Sequence, residues 1–335
     1  MNTSHEPTTA AFERFGVTLD GIAAWVRDVA GEPTEPRILN DKGWSLVAHF
    51  GSAVFKVTAA GVFSDGPHMF ELVGQAAPGL VPDLLAWRTS NDGSHQILFR
   101  PFKGQAVDSL PIEERKDGLV QMARILASIQ TNVGKALPTG LKTIKATGIP
   151  RMLDELLGEA VPRCQSDFPE SWAANCAKQE VPDDLAAHLY PYRSRIADWA
   201  QQLDETVSLS IDHVDFLPHN ANLLTNGQVL IYDWEQATLG IPHFSIDILL
   251  AYAQCLDEGL ANLDLRPERP TPTQSRIHEA YQPSALALSL SPIRYGHLEW
   301  TQAESTGVPH YGVDDLAWWL TRALRRWERI YRAAV

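Results

Sequence analysis

The sequence predicts an α+β chain of two lobes: a small β-rich N-lobe over residues 1–101 and a larger, mostly helical C-lobe over residues 102–335. Three observations carry this. At 335 residues the chain is too long for one small core and suits two. Short runs rich in β-branched and aromatic residues dominate up to Phe99, whereas helical periodicity takes over after Arg100-Pro101-Phe102-Lys103-Gly104. A single β-rich interlude, residues 207–232, then interrupts the helices.

In order, Phe12 to Val29 places Phe15, Leu19, Ile22, Ala23 and Val26 at helical spacing and stops before Gly31-Glu32-Pro33, which predicts one helix. Ser45 to Phe50 and Ala53 to Thr58 flank Gly51-Ser52 and read as a hairpin. Ser64 is the expected cap of a helix running to about Gln75, with Pro67 tolerated in its first turn and Pro78-Gly79 beyond its end. Asp83 to Arg88 and Gln96 to Phe99 form a second strand pair around Ser90-Asn91-Asp92-Gly93. In the C-lobe, Glu113 to Gln130, Met152 to Leu157 and Leu185 to Leu203 carry helical patterns, as does the chain from Ser245 onward. The interlude contains strands at Val207 to Ile211 and Leu223 to Tyr232, the second folded at Asn226-Gly227. Leu265 to Thr273 is a Pro-rich surface connection.

Composition narrows the function. Hydrophobic residues make up 44% and charged residues 21%, ordinary for a globular protein, and no apolar run approaches the roughly 18 residues needed to span a bilayer. The N-terminus has no basic start or apolar stretch of the secretory kind, so a cytoplasmic protein is expected. Cys164, Cys176 and Cys255 are scattered, which suggests reduced thiols rather than a disulfide framework or zinc site. A net charge of −13 argues against a general nucleic-acid binder and leaves room for a cationic small molecule. No feature indicates a membrane partner or an oligomeric state.

The chemistry concentrates in Ile211 to Glu235. His213-x-Asp215 is followed by Asn220, a hairpin, and a strand that ends in Asp233. Phosphoryl transfer demands alignment and charge neutralisation more than covalent work from the protein. An Asp on a fixed loop suits the proton acceptor for an attacking hydroxyl. An Asn carbonyl and a second Asp supply the hard oxygen ligands that magnesium (Mg2+) takes beside phosphates. The H-x-D-x-x-x-x-N spacing alone would arise by chance in roughly a few per cent of such chains. The strand ending in Asp after a tight hairpin is an independent requirement, and the sequence meets it. The competing structural reading makes Asp215 and Asn220 loop formers and Asp233 a cap.

These residues resemble the catalytic region of the aminoglycoside phosphotransferase and choline kinase-like superfamily, whose usual form is H-G-D-x-H-x-x-N, a strand, then I-D-W/F-E. His213, Asp215, Asn220, Asp233, Trp234 and Glu235 match it, and Gly240-Ile241-Pro242 resembles the G-x-P stretch beyond. The resemblance is specific from about Ser208 to Leu250 and extends loosely over the two-lobe layout. It implies a protein-kinase-like fold, ATP and Mg2+, Asp215 as catalytic base, Asn220 and Asp233 as metal ligands, and Asp247 as the buried carboxylate anchoring the catalytic loop. Val214 stands where the family has Gly and Leu217 where it has His, so the acceptor side departs from familiar members.

For the nucleotide, the resemblance implies Lys56 as the phosphate-binding lysine, paired with a helical carboxylate for which Glu71 is the first choice and Asp65 the second. Phe99, Arg100 and Phe102 then belong to the connector that meets the adenine. No G-x-G-x-x-G element precedes Lys56. His213 is expected to brace the loop, while His219, Trp234 and Glu235 are candidates for substrate contact. The terminal stretch Asp314 to Arg332 reads as a docked helix whose Arg322, Arg325, Arg326 and Arg329 form a solvated face. The expected activity is a small-molecule kinase acting on a hydroxyl of an aminoglycoside, another antibiotic, a sugar or an amino alcohol. Asp183-Asp184 lean towards a cationic acceptor. The rival readings are an idle nucleotide-binding pseudokinase and a nucleotidyl transferase on the same scaffold.

Overall fold

Two short helices open the chain where the periodicity suggests one: α1 (His5–Glu13) and α2 (Leu19–Ala30). Gly16, at φ +66°, ends the first turn of chain, and Thr18 caps α2 by accepting from the Gly21 amide at 3.2 Å. The structure is a computed structural model describing residues 5–60, 65–135, 137–141, 143–182, 184–259, 270–306 and 313–333.

Next come β1 (Arg37–Lys42), β2 (Ser45–His49), β3 (Val54–Thr58), α3 (Gly66–Ala76), β4 (Leu84–Thr89) and β5 (His95–Phe99). They form an antiparallel five-stranded sheet of order β1-β2-β3-β5-β4. Strand β1 is polar and exposed, which is why its sequence carries no alternation to read. Both expected hairpins are present, with Gly51 and Gly93 at positive φ in their turns. Ser64 lies outside the described residues. Phe50 meets Phe12 and Phe55 in T-shaped contacts, and the three rings share one core with Ile22, Val26, Leu46 and Leu98.

The remainder is mostly helical. It runs β6 (Gly104–Ala106), α4 (Ile112–Gly134), β7 (Thr143–Ile144), α5 (Ile149–Glu155), α6 (Val161–Asp167), α7 (Pro169–Lys178), α8 (Leu185–Leu189), α9 (Arg193–Thr206) and β8 (Ser210–Asp212). After β9 (Ala221–Leu224), β10 (Val229–Ile231) and β11 (Thr238–Gly240) come α10 (Ser245–Glu258), α11 (Pro272–Ala280), α12 (Ala285–Thr306) and α13 (Val313–Ala333). The single helix expected over Leu185 to Leu203 is broken at Tyr190-Pro191-Tyr192, because proline supplies no amide for the ladder. The Pro-rich connection lies outside the described residues until Pro270. Its end is ordered by Thr271, which forms a capping box with Gln274 on α11.

An antiparallel sheet followed by this helical remainder is the α+β two-lobe architecture that the sequence predicts. By packing, the chain separates into two compact units, residues 1–141 with 215–238, and residues 142–214 with 239–335. The first holds α4 and the β9–β10 hairpin as well as the N-terminal sheet. Among the described residues no helix is long and apolar enough to cross a membrane.

The second unit is built on α12 and α13, with Trp172, Tyr295, Trp319 and Trp327 in its core. At its centre Asp247 is fully buried and accepts from Arg322 Nη2 at 2.6 Å, from Arg326 Nη1 at 2.8 Å and from Ser291 Oγ. Two arginines assigned by periodicity to a solvated face of α13 thus point inward. A buried carboxylate needs neutralising partners, and long guanidinium side chains can supply them from a turn apart.

Candidate functional site

The β9–β10 hairpin does what its Asn226-Gly227 turn dictates. Val229 faces Leu223 and Ile231 faces Ala221, and Gly227 takes φ +82°. One residue on, the Tyr232 amide donates to Asn220 O at 2.9 Å, so the strand delivers Asp233 beside the loop that preceded β9. That loop is closed by Leu217 N donating to Asp215 O and Asn220 N donating to Leu217 O, both 2.9 Å. Asn220 Nδ2 then donates to Asp215 O at 2.9 Å and to Asp215 Oδ2 at 2.8 Å. The amide nitrogen faces Asp215, which leaves Oδ1 as the acceptor available to a cation. Asp233 holds φ +69°, ψ 44°, a left-handed conformation that Asp tolerates better than most residues.

Lys56 lies on the central strand β3, 9% exposed, with its ammonium on Asp233 Oδ1 and Glu235 Oε1. The pairing expected with Glu71 is not formed. Glu71 Oε1 instead accepts from Trp87 Nε1 at 2.8 Å, and its other oxygen lies 3.6 Å from His68 Nδ1. The reason is how α3 packs: its start presses on the Trp234–Gln236 turn so closely that a Cβ at Gly66 would lie 2.8 Å from Glu235 Cβ. Glu235 therefore occupies the place at Lys56, and serves there rather than as an exposed substrate contact. Trp234 is likewise corrected, being fully buried with Nε1 donating to Ile231 O at 3.0 Å.

The connector residues separate. Phe99 is buried edge-on against Phe70, centroids 4.7 Å apart, and Arg100 is exposed with Nε 3.3 Å from Asp83 Oδ2. Phe102 sits by Tyr232, centroids 5.8 Å apart. Tyr232, which motif reading overlooks, donates its hydroxyl to His219 O, and burial beside Asp233 and Asp108 pushes its pKa up to about 12. His219 is half exposed, with Nε2 3.8 Å from Asp215 Oδ2. The proximity of the Asp215 carboxylate raises its pKa against burial, with Asp108 and Asp233 adding to the effect. Asp108 had no signal in the sequence except its charge.

In the second unit, the chain that leads into Asp215 is held by different groups from those the resemblance implies. Asp247, committed to α13, does not anchor it. The His213 amide donates to Ser245 Oγ at 2.8 Å, and Ser245 Oγ donates to Asp212 Oδ1 at 2.6 Å. Val214 is 2% exposed and takes φ +61°, a conformation that a β-branched residue adopts only under constraint. Here Val214→Gly is expected to lower the melting temperature less than Val214→Ala, although it removes one more carbon. Both lose buried methyls worth about 0.8 kcal/mol per carbon, and only glycine also relieves the left-handed clash of about 1–2 kcal/mol. Thermal unfolding of the two variants decides it; a larger drop for glycine would mean the backbone at Val214 is unstrained.

Magnesium fits the donor set of the first unit. Asn220 Oδ1 and the Asp233 carboxylate are hard oxygen donors, and Glu235 Oε2 is buried without a hydrogen-bond partner. Asp233 and Glu235 share the single ammonium of Lys56, so this pair of carboxylates carries uncompensated negative charge. Among the described residues no three His, Cys, Asp or Glu side chains form a ready-made metal cage. Magnesium at a phosphate site needs only one or two carboxylates, with water and phosphates completing the shell.

A β-sheet lobe with a central lysine, a loop carrying Asp and Asn, and a returning strand ending in Asp define the kinase-like class of phosphoryl-transfer folds. The model of the phosphotransferase enzyme family (APH) matches residues 37–279, and the chain belongs to that family. Among solved structures it is similar to choline kinase LicA from Streptococcus pneumoniae, with 14% identity, a TM-score of 0.57, and 92% of this chain and 98% of that one covered. It is also similar to a thermostable mutant of aminoglycoside phosphotransferase APH(4)-Ia in ternary complex with AMP-PNP and hygromycin B. There the identity is 15%, the TM-score 0.55, and the coverage 91% and 98%. A choline/ethanolamine kinase family protein from Mesorhizobium loti aligns with 12% identity, a TM-score of 0.56, and coverage of 92% and 98%. At these identities the structures establish a shared protein-kinase-like fold. No curated protein matches the chain.

Proposed function

We propose that this protein transfers the γ-phosphoryl group of ATP to a hydroxyl of a small molecule. The observation that carries the reading is the convergence of Asp215, Asn220, Asp233 and Lys56 in one unit, through the β9–β10 hairpin and the Lys56–Asp233 contact. Asp215 accepts the proton of the acceptor hydroxyl while that oxygen bonds to the γ-phosphorus and the bond to the β,γ-bridging oxygen breaks, releasing ADP. Asn220 Nδ2 orients the carboxylate for this. Asn220 Oδ1 and Asp233 would hold magnesium, which when bound neutralises phosphate charge. Lys56 supplies a point charge to the phosphates at the end of its strand-borne stem.

The carboxylates of Asp108, Asp215, Asp233 and Glu235 favour a cationic acceptor such as an aminoglycoside or an amino alcohol. They replace the sequence argument from Asp183-Asp184; Asp183 lies outside the described residues, and Asp184 is exposed, 3.5 Å from His188. None of the three cysteines forms a disulfide, which supports a cytoplasmic setting.

The test is an acceptor panel with magnesium and ATP, read by mass spectrometry. Gain of one phosphate on an amine-bearing alcohol supports the reading. Gain of a nucleotide points to a nucleotidyl transferase, and nucleotide binding without turnover on any acceptor to a pseudokinase. Lys56→Ala is expected to weaken ATP binding by about tenfold or more, whereas Glu71→Gln leaves it within about twofold, because a pair at the phosphates contributes while an exposed one does not. Titration calorimetry with ATP separates the two; equal losses would return Glu71 to the site.

A further inference from the structure

The second unit buries a carboxyl group that motif reading does not single out, on the strand that leads in sequence to Asp215. Asp212 is 1% exposed, three residues before Asp215, and its Oδ1 accepts a hydrogen bond from Ser245 Oγ at 2.6 Å. Ser245 is fully buried and in turn accepts the His213 amide at 2.8 Å. The Val214 amide points at the same Asp212 oxygen from 3.5 Å. Two successive backbone amides are thus directed at one buried carboxyl group, the first through a serine hydroxyl that can donate only once and is polarised by doing so. The residue so held is Val214, at φ +61°. Backbone strain of this kind persists only where the surroundings over-determine it.

A buried carboxylate requires a countercharge. Arg294 on α12 is 3% exposed, and its Nε and Nη2 have no hydrogen-bond partner among the described residues. Its field acts on Asp212: burial pushes that carboxyl up, and Arg294 is foremost among the influences opposing the rise. Arg294 is thus a buried cation whose field opposes the rise at Asp212.

We propose that Asp212, Ser245 and Arg294 form a buried brace that sets the backbone of His213 and Val214 and so positions Asp215. The proposal rests on the reading of Asp215 as proton acceptor, and makes the three positioning residues. The carboxylate that holds the loop is supplied by the strand leading into it, with serine as relay, and Asp247 is released to organise α13.

Hydrogen–deuterium exchange of the full chain, read at peptides covering residues 209–217, tests the brace without reference to activity. Asp212→Ala and Ser245→Ala are each expected to speed exchange there by about tenfold or more, since a local opening loses its hydrogen-bonded closure. The double variant Asp212→Ala/Ser245→Asp, which moves the carboxylate onto the relay position, should bring exchange back towards wild type. Release of ADP from magnesium-ATP, with water or the best acceptor of the panel, should fall about 10- to 100-fold in the single variants with KM for ATP little changed, and recover in the double. If Asp212→Ala does not fold, Ser245→Ala reads the same loop. Arg294→Met should loosen the peptide as well; Arg294→Met/Asp212→Asn, which removes both charges, provides a folded comparison. Unchanged exchange in Asp212→Ala or Ser245→Ala overturns the brace, and unchanged exchange in Arg294→Met removes Arg294 from it. A loosened loop with full turnover, in a protein that Asp215→Asn inactivates, overturns the positioning role. Full turnover in Asp215→Asn would instead overturn the base, while the exchange data still judge the brace.

Discussion

Asp215→Asn is expected to lower turnover by about 10²- to 10⁴-fold, the usual worth of a general base, while ATP affinity stays within about twofold of wild type. The asymmetry follows from the site. Asp215 touches Asn220 through Nδ2 at 2.8 Å but makes no ion pair with Lys56, whose partners are Asp233 and Glu235. An amide at 215 keeps the volume and can still turn an oxygen towards Asn220, so the loop should hold its shape. What it loses is the capacity to take a proton. Steady-state kinetics with the acceptor found by the panel, together with nucleotide titration, measures both quantities. Turnover within threefold of wild type would remove Asp215 from its role as base.

Asp247→Asn is expected to destabilise the second unit by about 3–5 kcal/mol, the range for breaking a buried ion pair from one side. The substitution leaves Arg322 and Arg326 buried against one another with no carboxylate between them. Burial by itself pushes the Asp247 carboxyl up, but the two guanidinium groups outweigh it and hold it well below the usual carboxylate range. A folded pKa depressed in this way contributes stability that is fully present above the unfolded value, about pH 4, and is lost as pH falls through the folded one. Denaturant melts from pH 7 down to pH 3 should therefore show wild type losing its advantage over Asp247→Asn below about pH 4. Equal stability of the two proteins at pH 7 would mean the cluster contributes nothing.

Much of the site can be read locally. Asp215, Asn220 and Asp233 are brought together by a turn whose type follows from Asn226-Gly227, and a hairpin has only one register compatible with that turn. The strand pairs of the N-terminal sheet are legible for the same reason, whereas β1 is missed because every second residue is not apolar. The partners of charges are another matter. Glu71 has the right residue type on the expected helix, yet Trp87 holds it, and Glu235 reaches Lys56 because Gly66 lets α3 approach the Trp234–Gln236 turn. Asp247 and the arginines of α13 are 75 and 79 residues apart in sequence, a separation at which no spacing rule operates.

The sequence by itself determined the two-lobe α+β class and the hairpin that returns Asp233 to the loop of Asp215 and Asn220, because periodicity and turn chemistry act over a few residues. Only the tertiary structure decided which carboxylate faces Lys56, that Asp247 belongs to α13, and that Asp212 with Ser245 holds the chain before Asp215. Those outcomes depend on which helix packs where, and a buried charge takes the countercharge that packing brings within reach.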